Sequence, residues 1–299
     1  MVLTGSTRVS TSRLSPPLLF FIFGTISLLV WWNPLISSFA LALRDSQYTH
    51  ILLILPVSVA LTYLEWKSSE ISESGSSIGF VLLGAAVVTT IVARSHILTL
   101  GPDEQLAVNV LALVVWWIGA FIISFGTCAF RHALFPLCFL FWIVPIPQVM
   151  LSPIVRLLQE GSVVSARLLF ALVGVPSAQD GTQITIPGLT VEVAAECSSI
   201  RSSLMLVVTT MVLAQMLLRS AWRKAFVIAV AIPLSVAKNG LRILVVAMLT
   251  TRVDRSFMTG KLHHEGGIIY FLIALAAIIL LIWIARRGDS GPKTAMTDR

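Results

Sequence analysis

Apolar runs of about bilayer length recur along this chain, separated by short polar or basic breaks. The first, Leu18 to Trp32, follows a Ser/Thr-rich start that carries Arg8 and Arg13. Further runs extend from Ile51 to Trp66, Ile78 to Ile97, Gln105 to Phe125 and Ala133 to Ile146. Each approaches the roughly 20 residues that a hydrocarbon core requires. The fifth is expected to stop at Pro145-Ile146-Pro147, where proline ends a helix. The pattern then changes. Between residues 153 and 175, Arg156, Gln159, Glu160 and Arg167 recur at three- and four-residue spacing, predicting an amphipathic helix that lies on the membrane or packs within the bundle. Residues 182–186 and 189–193 alternate apolar with polar around Pro187-Gly188 and predict two short strands. Apolar runs resume from Leu204 to Leu218, Ala225 to Thr250 and Gly267 to Ala285, with basic stops at Arg219, Arg223 and Lys224 and at Arg286-Arg287. The expected fold class is an all-α polytopic membrane protein. It has about eight transmembrane helices, one amphipathic helix and a short external β-like segment before Cys197.

Composition sharpens this picture. Of 299 residues, 57% are hydrophobic and 12% charged, far more apolar matter than a soluble domain of this size buries. The net charge of +7 would suit nucleic acid in a soluble chain. Here the basic residues fall mainly in loops and at helix ends, as the positive-inside rule requires, so the expected partner is the lipid bilayer and no nucleic acid. The first run has the look of a signal peptide, with small residues at Ser38-Phe39-Ala40-Leu41-Ala42. An uncleaved first helix is expected instead, because so many spans follow. Residues 1–15 and 288–299 are then cytoplasmic tails around a single integral membrane domain, 16–287. With the N-terminus inside and the amphipathic helix not crossing, Cys197 and the loop of His263 both fall outside, while both basic stops fall inside.

Polar residues in this apolar setting are the candidate chemistry. Cys197 stands just before a membrane helix, where unpartnered backbone N–H groups and the helix dipole favour a thiolate, and Arg201 follows one turn on. Arg242 lies inside an apolar span at a cost of about 2.5–3.5 kcal/mol, which marks a functional residue by default; Asn239 shares its helix face. A bland reading has Arg242 snorkelling to the headgroups. His263 and His264 precede the last span, and an imidazole with a pKa of about 6.5 suits proton transfer, although two adjacent loop histidines also suit a solvated surface. His50 is a weaker candidate at the start of the second span. Cys128 and Cys138 read as small core residues. No third ligand stands at metal spacing near the histidines, so neither metal nor cofactor is expected.

These residues carry a resemblance. Pro145-Ile146-Pro147, the Leu158-Gln159 helix, the short strands, Cys197-Ser198-Ser199-Ile200-Arg201, Asn239-Gly240-Leu241-Arg242 and His263-His264-Glu265-Gly266-Gly267 with Phe271 follow one another as in the exosortase/archaeosortase family, which the chain resembles from Tyr48-Thr49-His50 onward. The resemblance implies an integral membrane cysteine protease or transpeptidase of the bacterial inner membrane. Its catalytic Cys, Arg and His would fall on Cys197, Arg242 and His263, with Arg201, Asn239 and His264 as supporting candidates. It further implies membrane-anchored protein substrates bearing a C-terminal sorting tail of a Pro-Glu-Pro motif, a transmembrane helix and a basic end, cleaved through a thioester. One departure is Ser199, where the family has glycine; its Cβ disfavours a positive φ. The alternative class is a transporter or non-catalytic scaffold with Arg242 as an anion site. An intramembrane serine protease built on Gly75-Ser76-Ser77-Ile78-Gly79 has little motif support.

Overall fold

A computed structural model of the chain describes residues 15–67, 76–95, 97, 99–192, 200–254 and 267–287. They form two compact units, residues 1–44 with 51–145, and residues 45–50 with 146–299.

Among its described residues the first unit contains helices and no strand. It contains α1 (Pro16–Arg44), α2 (Ile51–Lys67), α3 (Ile78–Arg94), α4 (Pro102–His132) and the short α5 (Leu134–Phe139), which runs into a 3-10 turn at Leu140–Ile143. The first helix is longer than its apolar run and is kinked at Trp31. Pro34 explains the site of the kink: it has no N–H to give the carbonyl four residues back, that of Val30. Arg94 Nη2 donates to that freed oxygen at 3.1 Å, and Trp31 Nε1 donates to Thr90 Oγ1 at 3.1 Å, so α3 holds the bend. Helices α3 and α4 meet through glycine. A Cβ on Gly79 would stand 2.5 Å from both Gly119 O and Ile123 Cγ1, the close backbone approach that membrane helices reserve for small residues.

Two expectations for this unit need correction. Ala133–Ile146 is not a membrane-length helix: α5 and its 3-10 turn cover about ten residues, or 15–20 Å, half the hydrocarbon thickness. The α-helix gives way to the 3-10 turn ahead of the two prolines at 145 and 147, and Ser58 Oγ donates to the Pro136 carbonyl at 2.7 Å. Among the described residues six helices are long and apolar enough to cross a membrane, or seven if 134–143 and 148–172 count as one broken span, and α3, with 17 residues, is only just shorter, in keeping with the expected all-α polytopic class. Cys128 and Cys138 are exposed, not core. In a membrane protein an apolar helix is covered by lipid as readily as by neighbours, so apolar surroundings in sequence do not imply burial.

The second unit opens with a 3-10 turn at Ser46–Tyr48, capped by Asp45 Oδ1 accepting from Gln47 N at 2.9 Å. It continues with α6 (Gln148–Leu172), strands β1 (Ala178–Asp180), β2 (Gln183–Ile186) and β3 (Leu189–Glu192), then α7 (Ile200–Leu217), α8 (Ala221–Arg252) and α9 (Gly267–Arg287). The amphipathic helix is α6, and its Arg156 and Glu160 form an exposed ion pair of 2.9 Å at (i, i+4) spacing. Among the described residues there are three strands where two were expected. They form an antiparallel sheet in the order β1-β2-β3, with Gln179 opposite Ile184 and Ile184 opposite Val191. The turns need positive φ at Gly181 (56°) and Gly188 (85°), which glycine adopts without a Cβ clash. Alternation in β2 puts Ile184 and Ile186 on one face, buried against Val163, Ala166 and Phe170 of α6 and Ile243, Leu244 and Ala247 of α8.

Candidate functional site

The site is framed by α7, α8 and α9, which pack around Leu206 and Ala214, Val227 and Ala231, and Ala274 and Ile278. Their directions are fixed by polar contacts at one end. Lys224 Nζ donates to Gln215 Oε1 at 2.8 Å and Arg223 Nη1 to the Ala285 carbonyl at 3.1 Å. The end of α7, the start of α8 and the end of α9 therefore lie together. Both basic stops, 219–224 and 286–287, belong to that end, where Arg287 stacks 3.4 Å over the Trp283 ring. The opposite end gathers the start of α7, the C-terminal half of α8 and the start of α9.

Toward this opposite end α8 carries Lys238, Asn239 and Arg242. Lys238, 7% exposed, donates from Nζ to Ser202 Oγ of α7 in a short hydrogen bond. One turn further along α8, the half-buried Arg242 lies close enough to act electrostatically on Lys238 and on the buried Tyr270 of α9. Asn239 is 1% exposed and donates from Nδ2 to Ser162 Oγ of α6 at 2.9 Å; that hydroxyl in turn donates to the Leu158 carbonyl at 2.6 Å. Between these residues Gly240 lets α6 and α8 touch. A Cβ there would be 2.7 Å from Ser165 Cβ and 2.9 Å from Ala166 N. Asn239, Gly240 and Arg242 are thus three parts of one arrangement: a polar clasp, a close helix contact and a charge set deep beside them.

Of the sequence candidates, Arg242 and Asn239 lie together here, and Arg201 is exposed on the first turn of α7, next to Ser202. Cys197, Ser199, His263 and His264 lie outside the described residues. What the structure does describe is where the chain re-enters on either side: α7 starts three residues after Cys197, and α9 starts four after His263. Both starts are at the end that carries Arg242. His50 is buried, beside Tyr48, and hydrogen-bonded to the Gln47 backbone, while Tyr48 Oη donates to the Ile146 carbonyl at 2.8 Å. Lys238 and Tyr270 were not among the sequence candidates. Lys238 was detectable by the argument that marks Arg242, a charge within an apolar span; Tyr270 offers no such signal. An open groove of about 550 Å³ beside α6, lined by Val164, Arg167, Leu168 and Gly174, includes neither Lys238 nor Arg242. No three His, Cys, Asp or Glu side chains converge among the described residues.

Fold and site define a multi-pass helical membrane protein with a cluster of cations set inside its own bundle. The chain belongs to the transmembrane exosortase family, whose model matches residues 31–280. The match spans Cys197, Arg242 and His263. No curated protein and no solved structure matches the chain.

Proposed function

We propose that this exosortase is a cysteine-type membrane peptidase, with Cys197 as nucleophile, His263 as base and Arg242 as the group that stabilises negative charge. The His263 imidazole takes the Cys197 thiol proton, and the thiolate sulfur attacks a substrate carbonyl carbon. The Arg242 guanidinium faces the tetrahedral oxyanion, a task suited to a permanent charge in a low-dielectric site. As the carbonyl re-forms, the C–N bond breaks. The leaving amine takes the proton from the imidazolium, and a thioester remains on Cys197. Water resolves it in hydrolysis, an amine in transpeptidation. His264 is the alternative base and Arg201 the reserve cation.

The observation that carries this reading is the shared end of the three-helix core. In sequence, Cys197 precedes the start of α7 by three residues and His263 precedes the start of α9 by four. Those two helix starts are at the end where Arg242 stands. This closeness in sequence to two helix starts at one end of the core is what supports a joint site with Arg242. The opposite end carries both basic stops, which supports a cytoplasmic location for it and an outward-facing site, in a bacterial inner membrane. Such a site suits a substrate that carries its own transmembrane helix and docks laterally, as a C-terminal sorting tail would.

The test is processing of a tailed membrane protein co-expressed with the enzyme. Cys197→Ala abolishes processing and leaves enzyme level and membrane insertion unchanged. Cleavage at more than a small fraction of the parent rate in that variant rejects Cys197 as nucleophile and favours a transporter or scaffold using Arg242 as an anion site.

A further inference from the structure

Lys238 is a second cation one helical turn from Arg242, in a helix that crosses the membrane. Each such charge is costly to insert, and two like charges in one low-dielectric region repel. Among the described residues Lys238 has no carboxylate partner. Its polar contact is Ser202 Oγ, on the first turn of α7, five residues after Cys197. A methionine of similar length would fill the same space without either cost. A charge retained at this expense is explained if negative charge arises beside it.

Building on the proposed function, we propose that Lys238 is a positioning residue of the reaction: through Ser202 it pins the first turn of α7 to α8, and with Arg242 it presents a preformed electropositive face to the anions formed there. The groups facing it are Arg242 on its own helix and Ser202 on α7; Arg201 is exposed on that same turn of α7, and Tyr270 of α9 lies within electrostatic reach of Arg242. Toward α6 the contact belongs to uncharged Asn239 and Ser162. The two α8 cations divide the work. Arg242, half-buried and nearer the helix end, faces the reacting atoms; Lys238, deeper, acts through the α7 start.

The experiment measures alkylation of Cys197 by a small maleimide across pH 5 to 9 in membranes, with Cys128 and Cys138 replaced by alanine. It compares the parent, Lys238→Met, Lys238→Arg and Ser202→Ala. In Lys238→Met the profile moves upward by about one pH unit, so alkylation below neutrality slows about tenfold. Lys238→Arg restores most of the loss, and Ser202→Ala, which keeps the charge and removes its tether, moves the profile in the same direction by less. Lys238→Met makes the helix more apolar, so insertion is not weakened, and Ser202→Ala gives an independent reading. Superimposed profiles for parent, Lys238→Met and Ser202→Ala overturn the inference while an acid-shifted parent profile leaves the proposed function standing. A parent profile centred near the ordinary thiol value of about 8.5 overturns both.

Discussion

Arg242 shows how one residue can be legible from sequence in its cost and illegible in its company. An arginine in an apolar run is a strong signal whatever the fold, and it is found where it was expected, inside α8. Its neighbours were not visible, because Ser202 lies 36 residues from Lys238 in the chain and Ser162 lies 77 from Asn239. Arg242 is half-buried and lies within electrostatic reach of Tyr270 of another helix. Arg242→Met is therefore expected to lower processing by about 10²- to 10³-fold, the usual loss for one oxyanion donor, without loss of membrane insertion. Arg242→Lys recovers little, because an ammonium on a flexible stem does not reproduce a planar fork of donors. Initial rates of tail cleavage in membranes measure both; a lysine variant near parent rate argues that charge alone is required.

At the scale of elements, period was the reliable guide and length was not. Three- and four-residue spacing located α6, and alternation located β2 and β3, because these patterns record which face is covered. The third strand was missed since Ala178–Asp180 is too short to show a period. The expected fifth span failed for another reason: hydropathy is blind to where a chain bends, and the apolar stretch leaves the α-helix at the 3-10 turn Leu140–Ile143, ahead of the proline pair where the stop was expected. The sheet is the element whose place could not be foreseen, and its burial gives a clear contrast. Ile184, 1% exposed, lies among α6 and α8 side chains, whereas Thr185 is exposed and meets Thr190 across the strands at 3.3 Å. Ile184→Ala is expected to destabilise by about 2–4 kcal/mol and Thr185→Ala by less than about 1 kcal/mol. Thermal denaturation in detergent, followed by size-exclusion recovery, separates the two. Equal losses would mean that the sheet is not seated on these helices.

For the whole molecule, composition decided the class at once, since no soluble fold buries so apolar a chain, and family membership agrees. Sidedness rests on fewer residues. Arg219, Arg223 and Lys224 sit at the same end of the core as Arg286 and Arg287, a grouping drawn from two distant stretches and tied by the Arg223 contact to Ala285. The positive-inside rule then makes one prediction for the entire second unit. Alkaline phosphatase fused after Gly188 is active, and fused after Arg287 it is inactive, with a fluorescent cytoplasmic reporter giving the reverse. Activity at both positions would break the parity of α7, α8 and α9 and with it the outward-facing site.

The seating of the sheet has one more consequence. Residue 192 is held on one side by strands clamped to α6 and α8, and residue 200 on the other by a helix packed into the core. Seven residues of sequence, Cys197 among them, connect these two fixed ends. If Cys197 is the nucleophile proposed above, an insertion or deletion in that stretch is expected to cost more processing than a conservative substitution there, because the chain length available between the two ends is set by the sheet and the helix.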